Sequence, residues 1–452
     1  MWLLYDSPAM SSTKRPSTVL CSMLLASLLG GGCVSHARLD PQDSTTRLRT
    51  LTGTVPAGDI RIDDGLTADE AVAMALWNNA AFHVSISELG FARADLLDAG
   101  LLTNPVLSLL FPIGPKQLEA TLRWPVELLW QRPRRVAAAR LAGDAAAEKL
   151  VSAGLDLVLS VRIAYADLSL AIDREQLAKE AASLLARIGT LTQSRLAVGD
   201  ISRLEARAVE VDAARGTQDA ERAAHDVTIA RERLRALLGL PADAVFPSLA
   251  DASAPTAECR PTPDLLREAL VARPDVRAAE IGIEAAAAKL GWEKSRVLAL
   301  TAVLDANGEG RDGFEAGPGL DLGLPLFNRN QGGRARAEAE LQRASASYLA
   351  VQHRVALELR EAAAQFDQAQ QSLATWRTTI TMPLQTNVAE AQAAFEAGDT
   401  STLFVLEHTR RLADARLRER EFEADRQRAR ARVERASGRS CGAPSQETPR
   451  DR

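Results

Sequence analysis

Along most of the chain the apolar positions recur every three to four residues, and in four short runs they alternate instead. Those runs come in two pairs. In the first, residues 104–111 are largely apolar and bounded by Pro105 and Pro112, and residues 116–126 set Leu118, Ala120, Leu122 and Trp124 against Glu119, Thr121 and Arg123. In the second, Leu298, Leu300, Ala302 and Leu304 alternate with Thr301 and Asp305, and Leu320, Leu322 and Leu324 with Asp321 and Gly323. A period of two places each set on one face of a strand. Each pair therefore predicts a hairpin with strands of about 9–11 residues, long enough to cross a membrane when tilted. The connection 307–318, rich in Gly and charge, predicts an exposed loop.

The helical stretches carry their own punctuation. Thr67 with Glu70 three positions later is a capping box, opening a helix expected to run to about Ala99 and end near Gly100. Thr262 as cap and Pro263 at the first helical position open its counterpart, expected to reach Ser295. Residues 134–197 contain no Pro and read as one helix of roughly 90 Å. Gly199-Asp200 breaks it, and Ser202 caps a return helix to Leu238. The second copy spans 331–396 with a kink expected at Pro383, turns at Gly398-Asp399, and restarts at Ser401 toward Ala436.

These elements occur twice, about 200 residues apart. Trp124-Pro125-Val126 corresponds to Leu324-Pro325-Leu326, Arg134 to Arg334, and Ala137 to Ala337; the run 198–204 is echoed at 397–403. The period is too long for a solenoid unit, so the chain reads as a duplicated half. The expected organisation is an export signal over 1–33, a polar tether over 34–65, a first repeat over 66–250, a linker over 251–261, a second repeat over 262–437 and a polar, disordered tail over 438–452.

Composition sharpens the picture. Of 452 residues 46% are hydrophobic but only 4% aromatic, as suits long Ala/Leu/Arg/Glu helices. A net charge of −5 gives no reason to expect a nucleic-acid partner. No nucleophile–base pair, metal-ligand spacing or phosphate loop is present, so no enzyme, cofactor or bound metal is expected. His408 beside Glu407 is not a metal site, because adjacent helical residues point apart. The Arg-rich run 410–435 is interleaved with Glu and Asp and reads as ion-paired helix surface. Met10 is the better start than Met1: Lys14-Arg15 followed by an apolar run over 19–29 form an export signal. Gly30-Gly31-Gly32-Cys33 resembles a lipoprotein box, with Gly30 where Leu is usual. Either Cys33 is the acylated first residue or cleavage leaves it as an incidental thiol. Cys259 and Cys441 either pair in an oxidising compartment or remain two separate thiols.

Four membrane-length strands cannot close a barrel, which needs about eight or more. In lipid an open sheet edge is costly, so the chain must oligomerise or keep its strands in water.

The runs LTADEAVAMALWNNAAF, AGLLTNPVLSL and LPLFNRNQGGRARAEAELQRA, with the paired VGD and AGD turns, resemble the TolC-type outer-membrane efflux factors over nearly all of residues 66–437. LRWPVELLWQRPRRVAAARL together with LFNRNQGG looks most like the heavy-metal, CzcC-like branch. The resemblance implies a mainly α fold with a small β part: a strand hairpin plus a long helical hairpin, duplicated, closing as a homotrimer into a β-barrel joined to an α-helical barrel. It implies outer-membrane lipid around the strands, a periplasmic adaptor, and an inner-membrane pump of RND type as partners. Gly199, Asp200, Gly398 and Asp399 would form the adaptor-binding periplasmic tips. Glu407 aligns with the second of the family's pore-narrowing carboxylates, and Phe404 stands in place of the first, which implies an apolar constriction. The competing expectations are the duct of a type I protein secretion system and, in a different class, a lipid-anchored periplasmic coiled-coil scaffold.

Overall fold

In the computed structural model, residues 40–53, 65–113, 118–250, 265–308, 313–397, 399–400 and 402–439 are described. Cys33, Cys259, Cys441, Thr262, Pro263, Gly398 and Ser401, with the expected signal and residues 440–452 of the expected tail, lie outside them; the first two tail residues are ordered, with Arg439 meeting Glu268 at 2.6 Å. The elements run α1 (Pro41–Thr52), α2 (Ala68–Asn78), α3 (Ala80–Gly100), β1 (Val106–Leu110), β2 (Leu118–Pro125), α4 (Leu128–Ala197) and α5 (Arg203–Leu238). They continue with α6 (Leu265–Ala272), α7 (Pro274–Ser295), β3 (Ala299–Gly308), β4 (Phe314–Gly323), α8 (Gln331–Trp376), a π-helical turn (Arg377–Thr381), α9 (Met382–Glu396) and α10 (Thr402–Ser437).

The four strands form one antiparallel sheet in the order β1-β2-β3-β4. The two expected hairpins are therefore joined at the centre, where β2 of the first repeat pairs with β3 of the second. The second hairpin is longer than its sequence suggested. Pairing Gly308 with Phe314 draws most of the expected loop 307–318 into strands, because β3 supplies partners to a Gly/Pro-rich run with little strand propensity of its own.

Each repeat has its own helical core. Val72, Ala75, Val161, Leu168, Val227 and Leu234 join α2, α4 and α5. Leu265, Ala269, Val355, Phe366 and Val433 join α6, α8 and α10 in the same way. The ends of the first repeat clasp each other: Leu66 N–H donates to the Ser248 carbonyl at 2.8 Å and Ala250 N–H to the Leu66 carbonyl at 3.0 Å. The Tyr165 hydroxyl also donates to the Leu66 carbonyl, at 2.9 Å. Burial, with help from the Glu70 charge, pushes that phenol up to about 12, so it stays a donor.

Three expectations are corrected. The single helix expected from Thr67 to Ala99 is two, broken at Asn79, which takes an extended conformation and caps α3 through Phe82 N–H at 3.0 Å. Its counterpart likewise breaks at Arg273, ahead of Pro274, since the residue before a proline is pushed out of the helical region. The two breaks are tied alike: Asn79 donates to the Leu237 carbonyl at 2.9 Å and Arg273 to the Ala436 carbonyl at 3.2 Å, each near the end of a return helix. Third, the stretch read as a polar tether over 34–65 contains α1. Asp40 caps it, Pro41 begins it and Gly53 ends it in the left-handed region at φ 66°. Leu48 is buried where Gly154 of α4 leaves no room for a side chain, and Arg47 pairs with Glu148.

The interruption expected at Pro383 takes the form of the π turn just before it. Met382 N–H reaches back five residues to the Arg377 carbonyl, and the widened turn accommodates a residue that lacks an N–H of its own. The Arg-rich surface expected on α10 is ion-paired: Arg428 meets Asp167 at 2.6 Å, Arg435 meets Asp156 at 2.5 Å and Arg162 of α4 pairs with Glu434. Among the described residues, no helix is long and apolar enough to cross a membrane.

Candidate functional site: a charged sheet face and two helical turns

The register divides the sheet into two faces. Leu107, Leu122, Leu304 and Pro318 share one row, and Leu109, Ala120, Ala306 and Ala316 another, on the apolar face. The opposite face carries Glu119, Asn307 and Glu315 in one row, Thr121 and Asp305 in the next, then Arg123, and then Thr301 with Asp321. Asp305 is held in place by the Thr121 hydroxyl and the Asn307 amide, each donating at 2.9 Å. Arg123 lies 4.0 Å from Asp321. Four carboxylates (Glu119, Asp305, Glu315, Asp321) against one guanidinium (Arg123) leave this face at −3 among the described residues. Sequence reasoning placed most of these residues on strand faces but did not add up their charge, and Glu315 was hidden in the expected loop.

Beyond the sheet, α3, α4, α7 and α8 line a groove of about 1070 Å³. Its wall is Ala-rich and balanced in charge, with Asp95, Asp98 and Glu340 offset by Arg135, Lys149 and Lys289.

The turn between α4 and α5 closes as its residues dictate. Gly199 sits at φ 76°, a region that disfavours side chains, while Asp200 N–H donates to the Arg195 carbonyl at 3.0 Å. Arg195 Nε meets the Asp200 carboxylate at 2.7 Å. Ser202 and Glu205 form a reciprocal capping box, and the hydrogen bonds from Ser202 hold the Glu205 carboxyl below its usual range. Val198 and Leu204 are left 80% and 79% exposed, an apolar pair on a polar turn. At the turn between α9 and α10 Asp399 N–H donates to the Ala394 carbonyl at 2.9 Å, the counterpart of the Asp200 bond.

Phe404 and Glu407 lie one turn apart near the start of α10, so they share a face. The Phe404 and His408 rings touch at a centroid distance of 4.2 Å with their planes tilted by 41°, and His408 Nδ1 is 2.9 Å from the Phe404 carbonyl oxygen. Glu407 meets Arg411 at 3.0 Å. That pairing offsets the carboxylate charge locally. Among the described residues no three His, Cys, Asp or Glu side chains gather as metal ligands.

The pattern of the outer membrane efflux protein family matches residues 115–240 and 265–439, one stretch in each repeat. The chain belongs to that family. This outer membrane efflux protein is 28% identical over 389 residues to the cobalt-zinc-cadmium resistance protein CzcC of Cupriavidus metallidurans, an alignment covering 84% of the chain and 92% of the relative. Its fold is that of solved channels. It matches CusC with a TM-score of 0.67 at 18% identity, over 82% of this chain and 91% of that one. It matches the CmeC outer membrane channel of Campylobacter jejuni with a TM-score of 0.70 at 14% identity, over 85% and 89%. Family membership sets aside the scaffold expectation and makes the sheet and helical layer the wall of an efflux duct.

Proposed function

We propose that this outer membrane efflux protein is the passive exit duct of a three-component exporter of divalent transition-metal cations. It would work as a homotrimer with a periplasmic adaptor and an inner-membrane pump of RND type. Three chains supply twelve strands, enough to close a barrel that four cannot. Closure with the apolar face toward lipid turns the polar face inward. The observation that carries the cargo class is the net −3 of that face, which draws cations and repels anions inside a low-dielectric wall. Likeness to a cobalt-zinc-cadmium resistance protein supports the same class.

The remaining roles follow from position. Gly199, Asp200, Gly398 and Asp399 form the adaptor contacts, with Val198 and Leu204 as the apolar part of that surface. Phe404 forms an apolar constriction, and Glu407, paired with Arg411, contributes little field of its own. Cys33 carries a lipid anchor. Helix α1 runs parallel to α4, since Arg47 meets Glu148 and Leu51 lies level with Leu155. Its start is thus its end nearest the sheet.

Deleting the gene tests the reading. The deletion strain is expected to lose resistance to cobalt, zinc and cadmium and to accumulate these ions, while resistance to organic drugs is unchanged. Unchanged metal resistance in a strain with no second duct would overturn it.

A further inference from the structure

The sheet and the helices below it meet at two unlike corners. In the first repeat only Val126 and Glu127 separate β2 from α4; in the second, residues 324–330 separate β4 from α8. The longer corner is closed by its own polar groups. Asn330 takes the left-handed conformation at φ 57°. Its N–H donates to the Asn328 side-chain oxygen at 2.9 Å, and its amide donates to the Glu293 carbonyl and carboxylate at 2.8 and 2.7 Å. Arg329 N–H donates to the Gln331 side-chain oxygen at 2.7 Å, and the Gln331 amide to the Phe327 carbonyl at 3.1 Å. A corner tied in this way holds its uncovered side chains in one place. Those are Leu324, Leu326 and Phe327, which are 68%, 66% and 92% exposed. Leu324 continues, at a spacing of two, the line of Leu320 and Leu322 on the apolar face of the sheet.

The charge around this corner has one sign. Residues 124–135, 292–298 and 324–335 carry five exposed cations, Arg134, Lys294, Arg296, Arg329 and Arg334, and no exposed carboxylate. Glu293 is buried against Arg296 and Asn330, and Glu127, half-buried, accepts from Leu300 N–H at 3.1 Å. Arg132 and Arg135 are turned to the end of α3, where they donate to the Gly100 and Ala99 carbonyls. On α10, by contrast, the arginines find carboxylates on α4. An exposed apolar cluster beside unbalanced cations is the composition of a surface that meets a charged lipid interface.

We propose that the 324–335 corner is a headgroup site for anionic phospholipid in the periplasmic leaflet of the outer membrane. Leu324, Leu326 and Phe327 enter at the base of the acyl chains, and Arg329 and Arg334 meet the phosphate. The level fits, because the corner lies where the lipid-facing sheet ends and the helices begin. An adaptor at the tips is out of reach, since α4 carries them about 100 Å away at 1.5 Å per residue. An ordinary aromatic girdle needs no charge. The cations add selection for anionic headgroups, about fivefold for each one near the surface. This inference rests on the sheet lying in lipid and adds which lipid it holds, and where.

Full-length trimers in vesicles of phosphatidylethanolamine and phosphatidylglycerol, brominated either near the headgroup or near the chain end, test the site. Phe327→Trp should add fluorescence over wild type that the shallow bromine quenches more than the deep one. In native mass spectrometry, wild-type trimers should retain phosphatidylglycerol in preference to phosphatidylethanolamine. That preference should drop about fivefold in Arg329→Gln and persist in Arg222→Gln on α5. Added fluorescence that iodide in the water quenches and bromine does not, or that neither reaches, in trimers that still conduct, would overturn the headgroup site and leave the duct standing. Equal retention of the two lipids by wild type would overturn it as well. Wild-type vesicles that conduct no ions would overturn the duct, and the site with it.

Discussion

Arg273 shows how much one side chain settles in this molecule. It is fully buried, reaches Asp275 at 2.7 Å and Glu358 at 2.8 Å, and ties the break between α6 and α7 to the end of α10. Removing one partner of a buried ion pair typically costs about 3–5 kcal/mol, and Arg354, 3.7 Å from Asp275, offsets a part. The Arg273→Ala protein should therefore melt well below wild type, and further below it than Asn79→Ala, which loses neutral hydrogen bonds only. The pair also sets a pH dependence. Burial pushes the Asp275 carboxyl up, but the hydrogen bond and charge of Arg273 outweigh it and hold the group below the usual carboxylate range. A depressed carboxylate adds stability that is present above its unfolded value of about 4 and is lost as pH falls through the folded one. Thermal melts from neutral to acid should show stability falling below about pH 4, with a flatter fall in Asp275→Asn. At Gly154 the constraint is steric. Its Cβ position is taken by the Leu48 side chain, so Gly154→Val should expel Leu48 and make α1 sensitive to protease while the rest of the fold stays resistant.

At the scale of elements, the proposed tips carry the clearest expectation. A side chain at Gly199 meets nothing within 4 Å, so Gly199→Val pays only for the left-handed backbone, about 1–2 kcal/mol. Trimers of Gly199→Val/Gly398→Val should assemble normally and fail to export; normal metal resistance would remove the tip assignment. What the sequence disclosed about elements depended on how local their causes are. The capping box at Thr67/Glu70 and the cap at Ser202 have causes complete within four residues and were legible, although the reciprocal partner Glu205 was not named. The break at Asn79 was not, because its amide is satisfied by the Leu237 carbonyl 158 residues away. Helix α1 was missed for the same reason, since the notch that receives Leu48 belongs to α4. The acidic sheet face stayed hidden until the register brought Glu119, Asn307 and Glu315 into one row.

For the whole molecule, the charge of that face has a direct electrical consequence. Purified protein in a planar bilayer under a salt gradient should be cation-selective, and replacing Glu119, Asp305, Glu315 and Asp321 with their amides should move the reversal potential toward zero. An unchanged potential would place selection elsewhere in the duct. The helical layer, with its balanced charge, should contribute little, so Lys149→Met should leave the potential where it was. The centre of the sheet bears on biogenesis as well. Thr121 and Asp305, hydrogen-bonded across the middle pair, are 184 residues apart, and such distant partners meet late because the loop between them must first be closed. A ribosome releases the opening hairpin long before its mate exists. Secreted polypeptides cut short ahead of residue 299 would carry β1 and β2 without the strand that joins them, so envelope chaperones and proteases should capture these fragments far more readily than full-length product.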